Sequence, residues 1–266
     1  MARSDGTPTN ALFGFIRTMN QVRKHLQPTH WAAAFDGGLP ASRVARVPEY
    51  KAQRPHMPDE MRVQLALIND YLAAANIPML LRDGVEADDV IATLVARHAG
   101  AVDRVVVISS DKDLFQLVTE DVRIARSGTG EDAMGPDDVA AKTGVRPEQI
   151  VAWLALVGDA ADNIAGVPGV GGKTAARLLN AYGSIDGIWE HLDDLGGSKI
   201  AANLAGAREI VARNLAVVSL DTEQANLPAL SELVARPEPV APLLAFYEAM
   251  EFRSLAQSLR APELAL

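Results

Sequence analysis

The chain has 266 residues, enough for one large domain or two small ones. Its 34 acidic against 25 basic residues give a net charge of −9, which argues against a protein that coats nucleic acid non-specifically. The absence of cysteine excludes disulfide scaffolds, thiolate zinc sites and cysteine nucleophiles. No apolar run approaches the ~20 residues of a membrane span, and the start lacks a signal-peptide core, so we expect a cytoplasmic protein without a membrane partner.

Strand and helix signals alternate through the first two-thirds of the chain. Short apolar runs predict strands at 29–35, 77–81 and 104–109, and the β-branched third run indicates a strand buried on both faces. Helical periodicity predicts helices at 57–75 and 87–99. Strands separated by helices indicate an α/β fold with a mainly parallel central sheet flanked by helices.

From Pro147 the pattern changes to helices separated by glycine-rich turns. Helices are predicted within PEQIVAWLALVGD, GVPGVGGKTAARLLNAYG and SIDGIWEHLD, and one closing helix within LLAFYEAMEFRSLAQSL. We therefore expect an α/β core at 1–146, a helical subdomain at 147–225, and a tail at 226–266 that packs back on the core. The connection at 40–58 is long for a compact domain, and such connections are usually functional or mobile.

Acidic residues recur where predicted strands end or helices begin or end. They form four groups: Asp36; Glu86, Asp88 and Asp89; Asp111 and Asp113; and Asp159 and Asp162. Each group alone is typical of a helix cap or a turn. In an open parallel sheet, however, the carboxyl ends of the strands meet at one edge, where ligands bind. Asp159 and Asp162 would lie on one face of a helix if their segment is helical.

Convergence of these acids would create a divalent-metal site. Many carboxylates at one sheet edge repel one another unless cations neutralise them. Oxygen ligands without histidine or cysteine favour Mg²⁺ or Mn²⁺ over zinc. Two such ions about 4 Å apart promote phosphodiester hydrolysis, because one lowers the pKa of the attacking water and the other stabilises the leaving oxygen.

The glycine-rich segment GVPGVGGKT does not fit a P-loop. The P-loop pattern ending at Gly172, Lys173 and Thr174 requires glycine at position 167, where this chain has Val167. A tight turn between two helices fits better, because its backbone N–H groups at a helix N-terminus can bind one DNA strand through its phosphates. An ordinary helix–helix turn is the alternative, and the closely spaced glycines followed by Lys173 and Thr174 make it less favoured.

A basic patch lies in the long connection. It contains Arg43, Arg46, Lys51 and Arg54 against one acidic residue, Glu49. A solvated loop is the simpler interpretation of such a run. Beside a metal cluster the patch becomes a candidate phosphate clamp, in which Lys51 or Arg54 stabilises charge developing on the scissile phosphate.

Together these segments resemble the bacterial 5′→3′ exonuclease family, which includes the nuclease domain at the start of DNA polymerase I and is related to the flap endonucleases. The resemblance is carried, in family order, by DGTPTNALFGF, AFDGG, PEYKAQRPHMPDE, EADDVIATL, ISSDKDLFQLV, WLALVGDAADNIAGVPGVGGKTAARLL and EFRSL. It implies a PIN-like or FEN-like α/β core, a helical arch at about 38–60, and a C-terminal helix–hairpin–helix subdomain that grips duplex DNA.

The resemblance also implies roles for individual residues. Metal ligands would be Asp36, Glu86, Asp88, Asp111, Asp113 and Asp162. Residues that hold water or orient those ligands would be Asp89 and Asp159. Cations that act on the scissile phosphate would be Lys51 and Arg54. The predicted DNA-binding residues are Arg43, Tyr50, Gly169, Gly171, Lys173 and Thr174. The implied ions are two or more Mg²⁺ or Mn²⁺, with K⁺ at the helix–hairpin–helix.

One family element is missing from the pattern. Family members open with a strand of the form L-[LIV]-[IV]-D-G, whose aspartate belongs to the metal site, whereas residues 3–8 here already match the loop beyond it. Asp5 and Gly6 do not replace that pair, because no hydrophobic strand precedes them. Loss of a central strand would leave unpaired backbone, so we expect weak or absent nuclease activity for this polypeptide.

The leading hypothesis is a Mg²⁺- or Mn²⁺-dependent, structure-selective 5′→3′ exonuclease and flap endonuclease of DNA replication and repair. We expect it to be free-standing, monomeric and nucleoid-associated, with 5′ flaps, nicked or gapped duplexes and 5′ ends as its DNA partners. A catalytically impaired protein that binds DNA junctions is the alternative. A Mg²⁺-dependent phosphatase or a PIN-type ribonuclease is less favoured, because neither needs the glycine-rich turn.

Overall fold

The computed structural model describes residues 1–260. The α-helices of this part of the chain are α1 (Asn10–Gln21), α2 (Ala41–Arg46), α3 (Asp59–Ala74), α4 (Ala87–His98), α5 (Pro136–Thr143), α6 (Ile150–Val157), α7 (Gly172–Tyr182), α8 (Ile185–Glu190), α9 (Lys199–Gly206), α10 (Arg208–Val218), α11 (Val240–Ala249) and α12 (Arg253–Arg260). The strands are β1 (Ala33–Phe35), β2 (Met79–Leu81), β3 (Val105–Ile108), β4 (Val122–Ala125), β5 (Gly158–Asp159) and β6 (Ile164–Ala165). Across residues 1–260, every helix is too short or too polar to cross a membrane.

The strands form two parallel pairs and one antiparallel pair. β1 runs parallel to β2, with Ala33 opposite Met79, and β3 runs parallel to β4, with Val105 opposite Val122. β5 and β6 form the short antiparallel pair. The predicted α/β class, with parallel strands and a helical C-terminal part, is confirmed. Within the described residues each parallel pair stands as two strands, so no larger central sheet is assembled there.

Strand β3 is less buried than its sequence indicates. The run of β-branched residues predicts burial on both faces, but only Val107 is buried and its neighbours are half-buried. The physical reason is that β3 has one hydrogen-bonded neighbour among the described residues, namely β4. A strand needs neighbours and cover on both sides to bury a continuous apolar run.

The chain divides into two compact units. The first unit contains residues 1–35, 55–81 and the chain from 226 onward, and the second contains residues 36–54 and 82–225. The predicted boundary after residue 146 therefore lies inside the second unit, and the tail to residue 260 belongs to the first. The final six residues of the predicted tail, 261–266, lie outside the described residues.

The core of the first unit is built by α1, α3 and α11. Leu12 and Ile16 are four positions apart on α1 and fully buried, and they pack with Leu72 of α3 and Tyr247 of α11. The predicted closing helix is wrong, because two helices, α11 and α12, occupy that segment.

A Schellman-like turn separates α11 from α12. Glu251 adopts a left-handed conformation with φ of +60°. The N–H of Phe252 then donates to the carbonyl of Tyr247 at 2.8 Å, which satisfies a free carbonyl of α11 and turns the chain before α12 begins.

The core of the second unit surrounds α6. This helix, IVAWLALV, is almost entirely apolar, and it packs against α7 and α10. Leu154 of α6, Leu179 of α7 and Phe115 after β3 are fully buried in this core. The packing fixes where β3, the β5–β6 hairpin and the start of α7 present their polar residues.

Candidate metal and nucleic-acid site

Acidic residues from three segments of the second unit line one cavity. Glu86 and Asp88 lie at the start of α4, Asp111 and Asp113 follow β3, and Asp162 lies in the β5–β6 turn. The structure thus brings together five of the predicted acids that are far apart in sequence. Asp36, which follows β1, lies nearby and accepts a hydrogen bond from the N–H of Ala87 at 2.8 Å.

Three carboxylates are arranged so that they could share a cation. Oxygens of Asp113, Asp159 and Asp162 all lie within 4.8 Å of one another. Oδ1 of Asp113 is buried and has no hydrogen-bond partner among the described residues; the nearest cation, Lys112 Nζ, lies 3.8 Å away. A buried carboxylate oxygen without a partner is costly unless a cation binds it, and an all-oxygen donor set fits Mg²⁺ or Mn²⁺.

Asp159 and Asp162 converge because their segment forms a hairpin. The interpretation that placed them on one face of a helix is wrong, since α6 ends before Gly158, which has φ of +76°. Asp159 pairs with Ile164 across the hairpin, and the N–H of Asp162 donates to the carbonyl of Asp159 at 3.3 Å. The turn, rather than a helical repeat, therefore sets the spacing of the two carboxylates.

Two of the cavity carboxyls have strongly raised pKa values. Burial, with the negative charges of Asp111 and Asp36, raises the pKa of Asp88 to about 7. Burial and the charge of Asp111 likewise raise the pKa of Asp113 to about 7. Asp111 itself is exposed, and its Oδ1 accepts the N–H of Asp113 at 3.0 Å, which holds the two acids in one turn. These carboxyls repel one another in the absence of a bound cation.

Arg43 and Asp89 form a buried pair. Arg43 is predicted to contact DNA, but its side chain is only 8% exposed. The guanidinium donates to both carboxylate oxygens of Asp89 at 2.7–2.8 Å. Asp89 also accepts the N–H of Asp221 at 2.9 Å. In this structure the donors of Arg43 are directed at protein groups inside the second unit, and its contact with DNA stays a prediction.

Tyr50 is also buried rather than presented to DNA. It is 4% exposed, and its hydroxyl donates to Glu86 at 3.1 Å and to Asp162 at 3.3 Å. Burial, followed by the charges of those two carboxylates, raises the pKa of Tyr50 well above its ordinary value, so the hydroxyl stays protonated as a donor. The hydroxyl thus contacts the acidic site in this structure, and the predicted contact of Tyr50 with DNA stays a prediction.

Lys51 and Arg54 are ion-paired with the same two acids. Lys51 is half-buried, has φ of +55°, and pairs with Glu86 and, at 3.6 Å, with Asp162. Arg54 is 49% exposed and pairs with Asp162 at 2.7 Å. Both predicted phosphate-binding cations thus lie at the acidic site, with Arg54 the more accessible.

Lys112 is a site residue that the sequence reasoning missed. Its Nζ pairs with Asp159, and it lies between two predicted metal ligands in the sequence SSDKD. Burial raises the pKa of Asp159, but the hydrogen bond and the charge of Lys112, together with backbone N–H donors, outweigh it, so the pKa lies below its ordinary value. The only signal in the sequence was the position of Lys112 between Asp111 and Asp113. A lysine between two acids of a cluster is well placed to neutralise another acid of that cluster.

The glycine-rich segment leads into the start of α7. Gly169 has φ of +78°, a conformation that favours glycine, and Gly171 precedes the helix in extended backbone. Among the described residues no side chain caps the first turn of α7. Within that turn Lys173 is exposed and Thr174 is half-buried. Gly172 has a packing role as well, because a Cβ there would lie 3.0 Å from the ring of Trp153.

Comparison with known proteins places this geometry in a family. The family model of the 5′-3′ exonuclease N-terminal resolvase-like domain matches residues 1–144, and that of the 5′-3′ exonuclease C-terminal SAM fold matches residues 145–239. A 5′-3′ exonuclease of Aquifex aeolicus is 40% identical over 71% of this chain and 66% of its own length. DNA polymerase I of Bacillus caldotenax is 34% identical over 97% of this chain, which spans 30% of that polymerase.

A solved structure agrees with the sequence matches. The T5 5′-exonuclease with bound zinc ions is 27% identical, covers 82% of this chain and 84% of its own, and superposes with a TM-score of 0.71. The resemblance carried by the acidic and glycine-rich motifs is thereby confirmed, and the chain belongs to the 5′-3′ exonuclease family.

Proposed function

We propose that this chain is a divalent-metal-dependent, structure-selective nuclease that hydrolyses DNA phosphodiesters at 5′ ends and 5′ flaps. The observation that carries the proposal is the unpartnered buried oxygen of Asp113 among converging carboxylates, with Lys51 and Arg54 beside them. The names of its relatives support nuclease activity, and the T5 5′-exonuclease is a relative solved with bound divalent ions.

In this proposal the carboxylates hold two or more Mg²⁺ or Mn²⁺ ions. The residues that we propose to bind them are Asp36, Glu86, Asp88, Asp111, Asp113, Asp159 and Asp162. Bound there, such ions would lower the pKa of the attacking water and stabilise the leaving oxygen. Asp89 supports the site indirectly, since the protein's own donors occupy both of its oxygens.

Lys51 and Arg54 are the proposed contacts of the scissile phosphate. Their cationic groups now pair with Glu86 and Asp162, so a phosphate must compete with these carboxylates for them. Metal ions that neutralise Glu86 and Asp162 would weaken that competition and leave Lys51 and Arg54 available to a phosphate oxygen. A planar guanidinium at Arg54 and a point charge at Lys51 would stabilise negative charge that develops during hydrolysis.

The segment from Gly169 to Thr174 is the proposed contact with the DNA backbone. Backbone N–H groups in the first turn of α7, together with exposed Lys173, offer donors and positive charge to a phosphate. Such contacts position a duplex without reading its bases, which suits recognition of DNA shape. From the polymerase relatives we infer a role in DNA replication and repair.

The test is cleavage of a labelled 5′-flap duplex with Mg²⁺ or Mn²⁺, comparing the wild-type protein with Asp111→Asn and Asp103→Asn. Asp111 follows β3 at the cavity, whereas exposed Asp103 precedes the same strand. Because the carboxylates converge, we expect metal-dependent cleavage by the wild type, in place of the weak or absent activity that the missing family strand suggested, and equal cleavage by Asp103→Asn. We expect Asp111→Asn to reduce the rate about 10- to 100-fold, because a carboxylate charge at the metal site is lost.

Binding and cleavage are measured in the same samples. Flap binding without cleavage by the wild type would contradict the proposal and would support a junction-binding protein. Equal cleavage by wild type and Asp111→Asn would remove Asp111 from the site. Cleavage of RNA alone would contradict the DNA substrate.

A further inference from the structure

The guanidinium of Arg43 has a partner for each of its five N–H donors. Nε donates to the carbonyl of Val217 at 2.9 Å, and Nη2 donates to the carbonyl of Ser219 at 3.2 Å and to Asp89 at 2.7 Å. Nη1 donates to Asp89 at 2.8 Å and makes a shorter contact with Glu86. All five donors that arginine possesses are therefore used, and all by groups of the second unit.

These contacts join three separate parts of the second unit. Arg43 lies on α2, Glu86 and Asp89 lie at the start of α4, and the two carbonyls lie at and beyond the end of α10. Arg43 is 6% exposed and Asp89 is 2% exposed, so this charge pair is screened little by water. Asp89, held from a third direction by the N–H of Asp221, anchors one side of the guanidinium.

The anchored guanidinium restricts Glu86, which faces the cavity. Oε2 of Glu86 meets Arg43 and the Tyr50 hydroxyl, while Oε1 meets Lys51. Three donors from the connection between β1 and α3 thus hold a single carboxylate. Lys51 is the one of them proposed to serve a phosphate, which leaves Arg43 and Tyr50 to hold Glu86 in place.

We infer that Arg43 is a positioning residue, which orients Glu86 for metal binding through its anchor on Asp89 and the end of α10. The inference rests on the proposed function. A lysine could supply the charge of Arg43 at this position, but its compact ammonium could not reach both carboxylates and both carbonyls together. Loss of a hydrogen bond that orients a metal ligand typically costs 10–100-fold in metal affinity or activity.

The main experiment compares Arg43→Lys with Arg46→Lys on the same helix. Arg46 is exposed, and its guanidinium donates to the carbonyl of Ser42 on α2 itself. Mn²⁺ binding is titrated without DNA by electron paramagnetic resonance, thermal unfolding is followed in chelator, and flap-cleavage kcat and KM are measured. We expect Arg43→Lys to raise the Mn²⁺ dissociation constant about tenfold, to lower kcat, and to change KM less than threefold. Arg46→Lys should match the wild type.

A purely structural role predicts a different result. In that case Arg43→Lys lowers the unfolding temperature, yet the folded protein binds Mn²⁺ and cleaves DNA like the wild type, and the inference is overturned. If the wild type binds no Mn²⁺, the proposed function itself fails. If the wild type binds Mn²⁺ and Arg43→Lys binds it equally well, the inference alone fails.

A second measurement uses the wild-type protein and therefore does not depend on whether a variant folds. The N–H of Arg43 Nε, donated to Val217, is buried and should give a protected signal in a ¹H–¹⁵N spectrum of the wild-type protein. Mg²⁺ binding would place a positive charge beside Glu86, the direct partner of the guanidinium, so we expect this signal to shift while that of Arg46 stays in place. An unmoved Arg43 signal at saturating Mg²⁺ would overturn the inference.

Discussion

Protein cations neutralise only some of the clustered acids. The acids that accept a hydrogen bond from lysine or arginine are Glu86, Asp89, Asp159 and Asp162. Asp88 and Asp113 instead have pKa values near 7, because burial and neighbouring carboxylates disfavour their ionised forms. The negative charge that lysine and arginine do not neutralise thus lies mainly on the segment that begins α4 and on the segment that follows β3.

The raised pKa values predict how metal-free stability depends on pH. The unfolded chain releases the protons of Asp88 and Asp113 near pH 3.8, whereas the folded protein retains them up to about pH 7. Between these values the native state binds more protons, so the free energy of unfolding should fall as pH rises from 4 to 7 and then level off. Thermal unfolding in chelator at pH 5 and pH 8 measures this difference.

A matched pair of variants isolates the effect of Asp113. Asp113→Asn cannot ionise, so its unfolding temperature should change less between pH 5 and pH 8 than that of the wild type. Asp103→Asn removes an exposed acid at the other end of β3 and should retain the wild-type difference. An Asp113→Asn variant with an undiminished pH dependence would show that this carboxyl is ionised in the folded protein at pH 5.

At the scale of elements, the start of α7 combines a glycine turn with an exposed lysine. Gly169 turns the chain with positive φ, and the side chain of Asn203 on α9 donates to the carbonyl of Pro168 at 2.7 Å. Beyond the turn, the indole N–H of Trp153 on α6 donates to the carbonyl of Gly172 at 3.0 Å. Side chains of α9 and α6 therefore hold the segment on both sides of Gly169.

Lys173→Ala should weaken DNA binding with little effect on chemistry. One phosphate contact is lost, so we expect flap affinity to fall about three- to tenfold and the slope of log K against log salt to decrease by about 1. The cleavage rate at saturating DNA should stay within twofold of wild type. Fluorescence anisotropy of the flap, titrated in Ca²⁺ at several salt concentrations, measures the affinity and the salt slope. The cleavage rate is measured with Mg²⁺ at saturating DNA.

Arg104→Ala is the charge-matched control for this prediction. Arg104 is exposed just before β3 and lies outside α7. Its removal should leave the salt slope as in the wild type. An unchanged slope in Lys173→Ala, or an equal decrease in both variants, would show that Lys173 makes no specific phosphate contact.

Helices with clear periodicity were predicted closely, and elements that depend on distant partners were not. The predicted helices at 57–75 and 87–99 correspond to α3 (Asp59–Ala74) and α4 (Ala87–His98). The strand predicted at 29–35 shortens to Ala33–Phe35, because only that part pairs with β2. Helices form through local hydrogen bonds, whereas a strand exists only where another strand meets it.

At the scale of the whole chain, the hydrophobic residues form two separate cores. One contains Leu12 and the other Leu154, and the residues proposed for the metal and DNA sites all belong to the unit of Leu154. The chain passes between the units several times, so neither unit is one continuous stretch of sequence. Stability and chemistry can therefore be tested by substitutions in different units.

Leu12→Ala should lower stability while leaving the site intact. Leu12 is fully buried, so its truncation is expected to reduce the free energy of unfolding by about 2–5 kcal/mol. Val63→Ala on α3 of the same unit is the control, because Val63 is 45% exposed and should cost much less. Denaturant unfolding measures both changes.

Flap cleavage by the same variants tests whether the site lies outside the first unit. Below its unfolding transition, Leu12→Ala should cleave the flap at the wild-type rate, since none of the proposed site residues lies in the first unit. A folded Leu12→Ala protein with a much lower cleavage rate would contradict the assignment of the site to the second unit.

The sequence by itself determined the family, the alternation of strands and helices, and which acids and glycines occur at segment ends. These are local properties, set by residue type and spacing over a few positions. Tertiary structure alone decided which polar groups are paired: Arg43 reaches the carbonyl of Val217, 174 positions away, and Tyr50 reaches Asp162, 112 positions away. A basic or aromatic residue in a loop has the same sequence signal whether it faces DNA or a buried carboxylate. Only packing, which removes water from one of those environments, distinguishes them.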